Sequence, residues 1–282
     1  MNTFKSTLLL VGLMLLLVFA GDRIGGQNGM LLAFVLSVAM NFTAYFYSDK
    51  IALKMYRAQP VTRDELPRAY EVVERLTAKQ NLPMPKIYVL PTESPNAFAT
   101  GRNPQHASVA VTHGILGLLT DEELAGVLAH ELAHVKNRDI LTSSIAATLA
   151  GAITMIARMG YWASLFGGYG GGGRRERGGG IGGLLMLIVA PIAASLIQLA
   201  ISRSREFEAD ATGAATTGNP YALASALQKL ENYSKRLPLE ATPSTAHMFI
   251  IAPLLGGGFG NLFSTHPPTK ERIHRLIGRD LV

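Results

Sequence analysis

His130-Glu131-Leu132-Ala133-His134 is the stretch on which the reading of this chain turns. A helix turns once every ~3.6 residues, so side chains at i and i+4 stack on one face. Two imidazoles stacked in this way can reach a single metal ion, with zinc–nitrogen bonds of roughly 2.0–2.1 Å. Glu131, next to the first histidine, is placed to take a proton from a water on that metal. The pattern implies metal-assisted hydrolysis, provided that the segment is helical and a third ligand exists.

The flanking residues supply the helix. Thr120 suits an N-cap, and Glu123 three positions later completes a capping box. Asp121, Glu122 and Glu123 put negative charge at the positive end of the helix dipole. Gly126 is the one weak helix former, so the helix is expected from Asp121 past His134.

The rest of the composition is that of a membrane protein. The chain has 282 residues, of which 48% are hydrophobic, and a mean hydropathy of +0.23. Its apolar residues come in blocks: Thr7–Ala20, Met30–Tyr47, Leu141–Phe166 with only Arg158 charged, and the uncharged Ile181–Ser202. Roughly 20 apolar residues cross a bilayer core, so the last three are spanning candidates. The first is short and reads as an uncleaved anchor, since Val18-Phe19-Ala20 makes a poor small-residue cleavage site.

Basic residues orient the spans. Lys50, Lys54, Arg57, Arg63 and Arg68 follow the second block, and Arg203 and Arg205 follow the fourth, which places both flanks in the cytoplasm. Arg174, Arg175 and Arg177, in the Gly-rich connector 167–180, run against this rule, so the third and fourth blocks form either a crossing hairpin or a shallow insertion. The absence of cysteine excludes thiolate ligands, disulfides and cysteine nucleophiles. The formal charge of +6 fits topology and attraction to anionic lipid. No aromatic–basic interleaving points to nucleic acid.

Four segments result: two N-terminal transmembrane helices in 1–47, a cytoplasmic part in 48–140 that carries the metal helix, a transmembrane hairpin in 141–202, and a second cytoplasmic part in 203–282. Within the cytoplasmic parts, Leu66–Gln80 reads as an amphipathic helix. Lys86–Leu90 and Ser108–Thr112 read as strands, with a turn-rich stretch, Pro91–Gln105, between them. Arg205–Thr217 and Tyr221–Arg236 read as helices, and Met248–Phe263 as a packing segment rather than a fifth span.

The third ligand is less clearly marked. None of His106, His113, His247, His266 and His274 stands at a spacing that marks a ligand. Glu206 and Asp210 are i and i+4 on an expected helix, so one could bind metal while the other orients a ligand. Glu208 points to a different face. The plain alternative is a solvated, charged helix start.

Taken together, these residues resemble the HtpX family of membrane zinc metalloproteases, distant relatives of the CAAX prenyl endopeptidases. The resemblance rests on His130-Glu131-Leu132-Ala133-His134, on Glu206-Phe207-Glu208-Ala209-Asp210, on Asn96-Ala97-Phe98-Ala99, and on His266-Pro267-Pro268 with Arg272, in that family's order across essentially the whole chain. It implies a mainly α-helical fold with a small β-sheet, a zincin-like metalloprotease domain combined with about four transmembrane helices. It implies one Zn²⁺ per chain, held by His130, His134 and Glu206, with Glu208 a bystander. Such a set leaves the fourth position for water.

In that scheme Glu131 is the general base and later the proton donor. Asp210 fixes the tautomer of a ligand imidazole. His266 contacts the oxyanion or substrate, unless it is a structural residue of a Pro-Pro turn. Arg272 is equally readable as a salt-bridge partner. Asn96 to Ala99 either binds an extended peptide as an added strand or is a turn ahead of a strand.

The implied role is cleavage of misfolded or damaged membrane proteins at the cytoplasmic face of a bacterial inner membrane; polypeptides and the lipid bilayer are its partners, and nucleic acid is not. Three rivals differ in class or substrate. An intramembrane protease would bury its motif in an apolar span, whereas Asp121-Glu122-Glu123 and Lys136-Asn137-Arg138-Asp139 flank this one closely. A non-catalytic scaffold with a relic site has no missing side chain to support it. A prenyl-protein protease shares the chemistry, although so few spans make a large enclosed chamber unexpected.

Overall fold

The computed structural model describes residues 2–142, 145, 203–236, 250 and 267–279. In chain order its elements are α1 (Asn2–Met55), β1 (Gln59–Pro60), α2 (Pro67–Gln80), β2 (Lys86–Leu90), β3 (Ala97–Gly101), β4 (Ala107–Thr112), α3 (His113–Leu118), α4 (Asp121–Lys136), α5 (Arg203–Thr217), α6 (Pro220–Arg236) and α7 (Thr269–Ile277). The protein is mostly helical with a small mixed sheet.

Helix α1 is two helices meeting at Gly26, whose φ of 57° and ψ of −146° are not helical. A left-handed φ of this kind is open to glycine at little steric cost. Asn41 Nδ2 donates to the Leu10 carbonyl at 3.1 Å, so the two legs fold back on each other. Gly25–Tyr47 is long and apolar enough to cross a membrane, whereas the apolar run Leu10–Phe19 in the first leg is shorter. The helix continues two turns past the expected end at Tyr47, to Met55. Of the expected hairpin 141–202, only Leu141, Thr142 and Ile145 are among the described residues.

The sheet has the order β1-β2-β4-β3. Strands β2 and β4 run parallel, while β1 and β3 are antiparallel to their neighbours. Strand β3 adds an element that the reading of Pro91–Gln105 as a turn-rich stretch did not include. Its Ala-Phe-Ala-Thr-Gly composition carries weak local β preference. Pairing with β4, from Ala97 opposite Val111 to Gly101 opposite Ala107, makes it a strand. The connecting turn is held by Asn103, whose side chain accepts the His106 N–H at 3.0 Å.

Alternation along the strands sends side chains to two faces. Ile87, Ala97, Val109 and Val111 join α2, α4 and α6 in the main core. Leu90, Phe98 and Ala110 pack on Leu53 near the end of α1. With both faces covered, every residue of β4 is buried.

Helix α4 runs through the middle of this core, packed by α2, α5, α6 and β3. The capping box forms as its sequence predicts. Thr120 Oγ1 accepts the Glu123 N–H at 3.3 Å, and Glu123 Oε2 accepts the Thr120 N–H at 2.9 Å. Glu123 also accepts from Ser225 (2.6 Å) and Lys229 (2.8 Å), which ties the start of α4 to α6.

Helix α5 approaches α4 closely because Gly213 lies at the crossing. A Cβ there would stand 2.9 Å from the His130 backbone nitrogen. Gly213→Ala should therefore push α5 away from the histidine turn, at a cost of about 1–3 kcal/mol. A lower unfolding temperature of the detergent-solubilised protein, with weakened metal retention, is the expected result; unchanged values for both would show that the crossing tolerates a methyl group.

Candidate metal centre and active site

The capped helix α4 places His130 and His134 one turn apart, and the structure brings Glu206 to them from the start of α5. The two Nε2 atoms are 3.3 Å apart. Glu206 Oε2 lies 3.6 Å from Nε2 of His130, and Oε1 lies 3.6 Å from Nε2 of His134. Tetrahedral ligands at roughly 2.0–2.2 Å from one zinc would be about 3.3–3.6 Å apart, so the donor set fits such an ion.

Hydrogen bonds on the far side of each ring support the same reading. His130 Nδ1 is 2.8 Å from Asp210 Oδ1, and His134 Nδ1 is 3.2 Å from Asp139 Oδ2. A carboxylate accepts, so in each neutral ring the proton sits on Nδ1 and the lone pair on Nε2. Two lone pairs and a carboxylate therefore converge in a buried space. The 3.3 Å Nε2–Nε2 approach is better explained by a shared cation than by a bond between the rings.

Of the carboxylates whose spacing left the third position open, Glu206 faces both Nε2 atoms. Asp210 lies on the opposite edge of the His130 ring, and Glu208 is exposed. Together, His130, His134 and Glu206 form a group that could hold a metal ion.

Arg272, from α7, is fully buried and grips Asp210 with two nitrogens, Nε at 2.8 Å and Nη2 at 2.6 Å. Its Nη2 also lies 3.4 Å from His130 Nδ1, but two donors face each other there, so this is proximity rather than a hydrogen bond. Burial opposes the charge on Asp210, yet Arg272 and then His130 outweigh it and hold the carboxyl well below the usual range. Burial likewise opposes the Arg272 cation, and Asp210 more than compensates, raising its pKa.

Glu131 is buried beside the pair, and its Oε2 accepts the Ala99 N–H at 3.0 Å. Asn96 is also buried. Its Oδ1 accepts the Ile250 N–H at 3.2 Å, while Arg272 Nη1 donates to the Ile250 carbonyl at 2.8 Å. These two residues thus hold one residue of the expected packing segment from both sides. His266 lies outside the described residues.

Two residues near the centre escaped the sequence reading. Asp139 follows the end of α4 by three positions and turns back to His134 because Arg138 adopts a left-handed φ of 59°. An acidic residue soon after the motif was the only signal. Arg205, buried with one nitrogen 3.5 Å from Asp139, read only as a topology charge.

Burial works against protonation of His130, but Asp210, first by charge and then by hydrogen bond, lifts its pKa from 6.5 to about 9. A raised pKa means that, without metal, this proton favours the fold: its contribution is complete below pH 6.5 and is lost as pH rises through 9. Metal and proton compete for Nε2. Metal uptake at pH 7 should then release about one proton, and affinity should climb with pH towards 9. Calorimetry in two buffers of different ionisation enthalpy measures the release, and uptake without it would remove His130 from the displaced groups.

Comparison with known proteins places the chain in a family. Residues 63–280 match peptidase family M48. The chain is 56% identical over 277 residues to a protease HtpX homolog of Desulfatibacillum aliphaticivorans, covering 98% of this chain and 89% of that one. It is likewise 56% identical to the protease HtpX homolog of Syntrophobacter fumaroxidans, covering 98% of each. Among solved structures, S. mikatae Ste24p is similar at a TM-score of 0.55 with 20% identity; the match covers 98% of this chain and 65% of Ste24p, and it speaks for the fold alone. With its paired histidines, its neighbouring glutamate and near full-length likeness to HtpX proteases, this chain belongs to peptidase family M48 and is a membrane metalloprotease of the HtpX family.

Proposed function

We propose that the chain is a zinc-dependent endopeptidase that holds one Zn²⁺ through His130, His134 and Glu206. The observation that carries this reading is the convergence of three lone-pair donors at 3.3–3.6 Å, with Glu131 beside them. Zinc in that position supplies Lewis-acid polarisation and a water made acidic near neutral pH.

The remaining chemistry belongs to side chains of this protein. Glu131 accepts a proton from the attacking water as its oxygen bonds to the scissile carbonyl carbon. When the C–N bond breaks, Glu131 returns that proton to the leaving amine. Asp210 and Asp139 hold their histidines in the Nδ1–H tautomer, and Arg272 keeps Asp210 charged. His266 contacts the oxyanion or substrate. An extended peptide pairs with β3, the terminal strand of the sheet, whose Ala99 N–H already reaches Glu131. Asn96 serves this edge by anchoring the chain at Ile250 behind it.

The substrates in this reading are misfolded or damaged membrane proteins, cut at the cytoplasmic face of a bacterial inner membrane. Residues 1–47 and 141–202 supply about four spans in that bilayer, with the protease assembled from 48–140 and 203–282. The basic residues after Tyr47 and after Ser202 support this orientation.

Glu131→Gln should keep zinc but lower casein cleavage by about 10²–10⁴-fold, the usual range for a general base. Cleavage that survives the change would sink the assigned mechanism. Glu206→Ala, purified alongside the parent, should lose both zinc and activity. Metal analysis that still finds one zinc in Glu206→Ala would move the third ligand elsewhere.

A further inference from the structure

On the face of the sheet turned towards α1, a cavity of about 380 Å³ opens between the last turns of that helix and the strands. Three separate segments bring a cation to it: Lys50 from α1, Lys86 from the start of β2, and Arg102 from the turn after β3. One carboxylate, Asp49, lines the same space. Among the described residues none of the three cations has a salt bridge. Instead, Lys50 lies 5.1 Å over the Tyr47 ring and the Arg102 guanidinium 5.5 Å over the Phe46 ring.

The depth of this cavity is set by the helix. The apolar span Gly25–Tyr47 ends at Tyr47, and Lys50 comes three residues later. At ~1.5 Å per residue Lys50 stands about 4.5 Å beyond the hydrocarbon. The headgroup layer on one side of a bilayer is roughly 5–7.5 Å thick, the difference between ~40–45 Å overall and a ~30 Å core, halved. Lys50 therefore sits at headgroup depth, Lys86 and Arg102 share its cavity, and Tyr45, Phe46 and Tyr47 mark the boundary as interfacial aromatics do.

We propose that this cavity binds the headgroup of an anionic phospholipid, with its phosphodiester received by Lys50, Lys86 and Arg102. The inference rests on Gly25–Tyr47 crossing the membrane and is independent of the metal site, which lies across the sheet. Three cations against one carboxylate disfavour the ammonium of a zwitterionic headgroup. The exposed Phe46 ring on the wall offers apolar surface that a lipid uses and a soluble phosphate does not.

The test is native mass spectrometry of the detergent-purified full chain, titrated with short-chain phosphatidylglycerol, phosphatidylcholine or glycerol phosphate. The parent should prefer phosphatidylglycerol. Each Lys or Arg near the surface is worth roughly fivefold, so the Lys86→Gln/Arg102→Gln variant should weaken that binding by about thirtyfold. Lys54→Gln, which removes an exposed cation of α1 outside the cavity, should leave it unchanged. Equal binding of phosphatidylcholine, or an equal loss in Lys54→Gln, would reduce the effect to diffuse attraction and overturn the proposal. Displacement of the lipid by equimolar glycerol phosphate would overturn it in favour of a soluble anion. Retention of zinc by the double variant, at the parent's level, shows that the loss is not misfolding.

Discussion

Two imidazole lone pairs and a carboxylate aimed at one buried point repel each other, and much of this structure serves to hold them there. Desolvation makes the repulsion stronger, because little water remains to screen it. A cation at the centre resolves the conflict, and until it arrives a proton on His130 does part of the same work. The surrounding charges then follow as a chain. Asp210 holds His130, Arg272 neutralises Asp210, and the guanidinium is satisfied again at the Ile250 carbonyl. Breaking any one link leaves a charge buried without its partner, which is worse than never having buried the pair.

That chain joins parts of the sequence that are far apart. Helix α4 supplies the histidines, α5 the third carboxylate and Asp210, and α7 the arginine. The apolar stretch 141–202 intervenes between the first two. Close packing of Gly213 on the His130 backbone turns this separation into contact, since any larger residue would hold the two helices apart. The three-residue group exists only once α4 and α5 have packed, as ligands preformed in an unfolded chain are not expected.

The sheet links this core to the long apolar helix α1. One face packs on the metal helix, and the other packs on Leu53 of α1, beyond the apolar span. Strand β3 takes part in both contacts. Phe98 faces α1, and the neighbouring Ala99 amide reaches Glu131. The base is thus oriented by a strand whose other face packs on α1.

Whatever depends on near neighbours could be read from the residues alone. The capping box of Thr120 and Glu123, the stacking of His130 over His134, the strands Lys86–Leu90 and Ser108–Thr112, and the apolar helix Gly25–Tyr47 all follow from local spacing and composition. The position of Glu206 relative to Asp210 was suggested by their spacing, but only packing of α5 on α4 decided which of them faces the metal side of the rings. Strand β3 needed a partner strand, because its own residues favour no extended form strongly. The approach of Asp139 to His134 needed the left-handed turn at Arg138, and the pairing of Arg272 with Asp210 needed a contact across 62 positions. Local periodicity lies in the order of the residues; long-range electrostatic partners are chosen only when a folded core has excluded water and brought distant charges into contact.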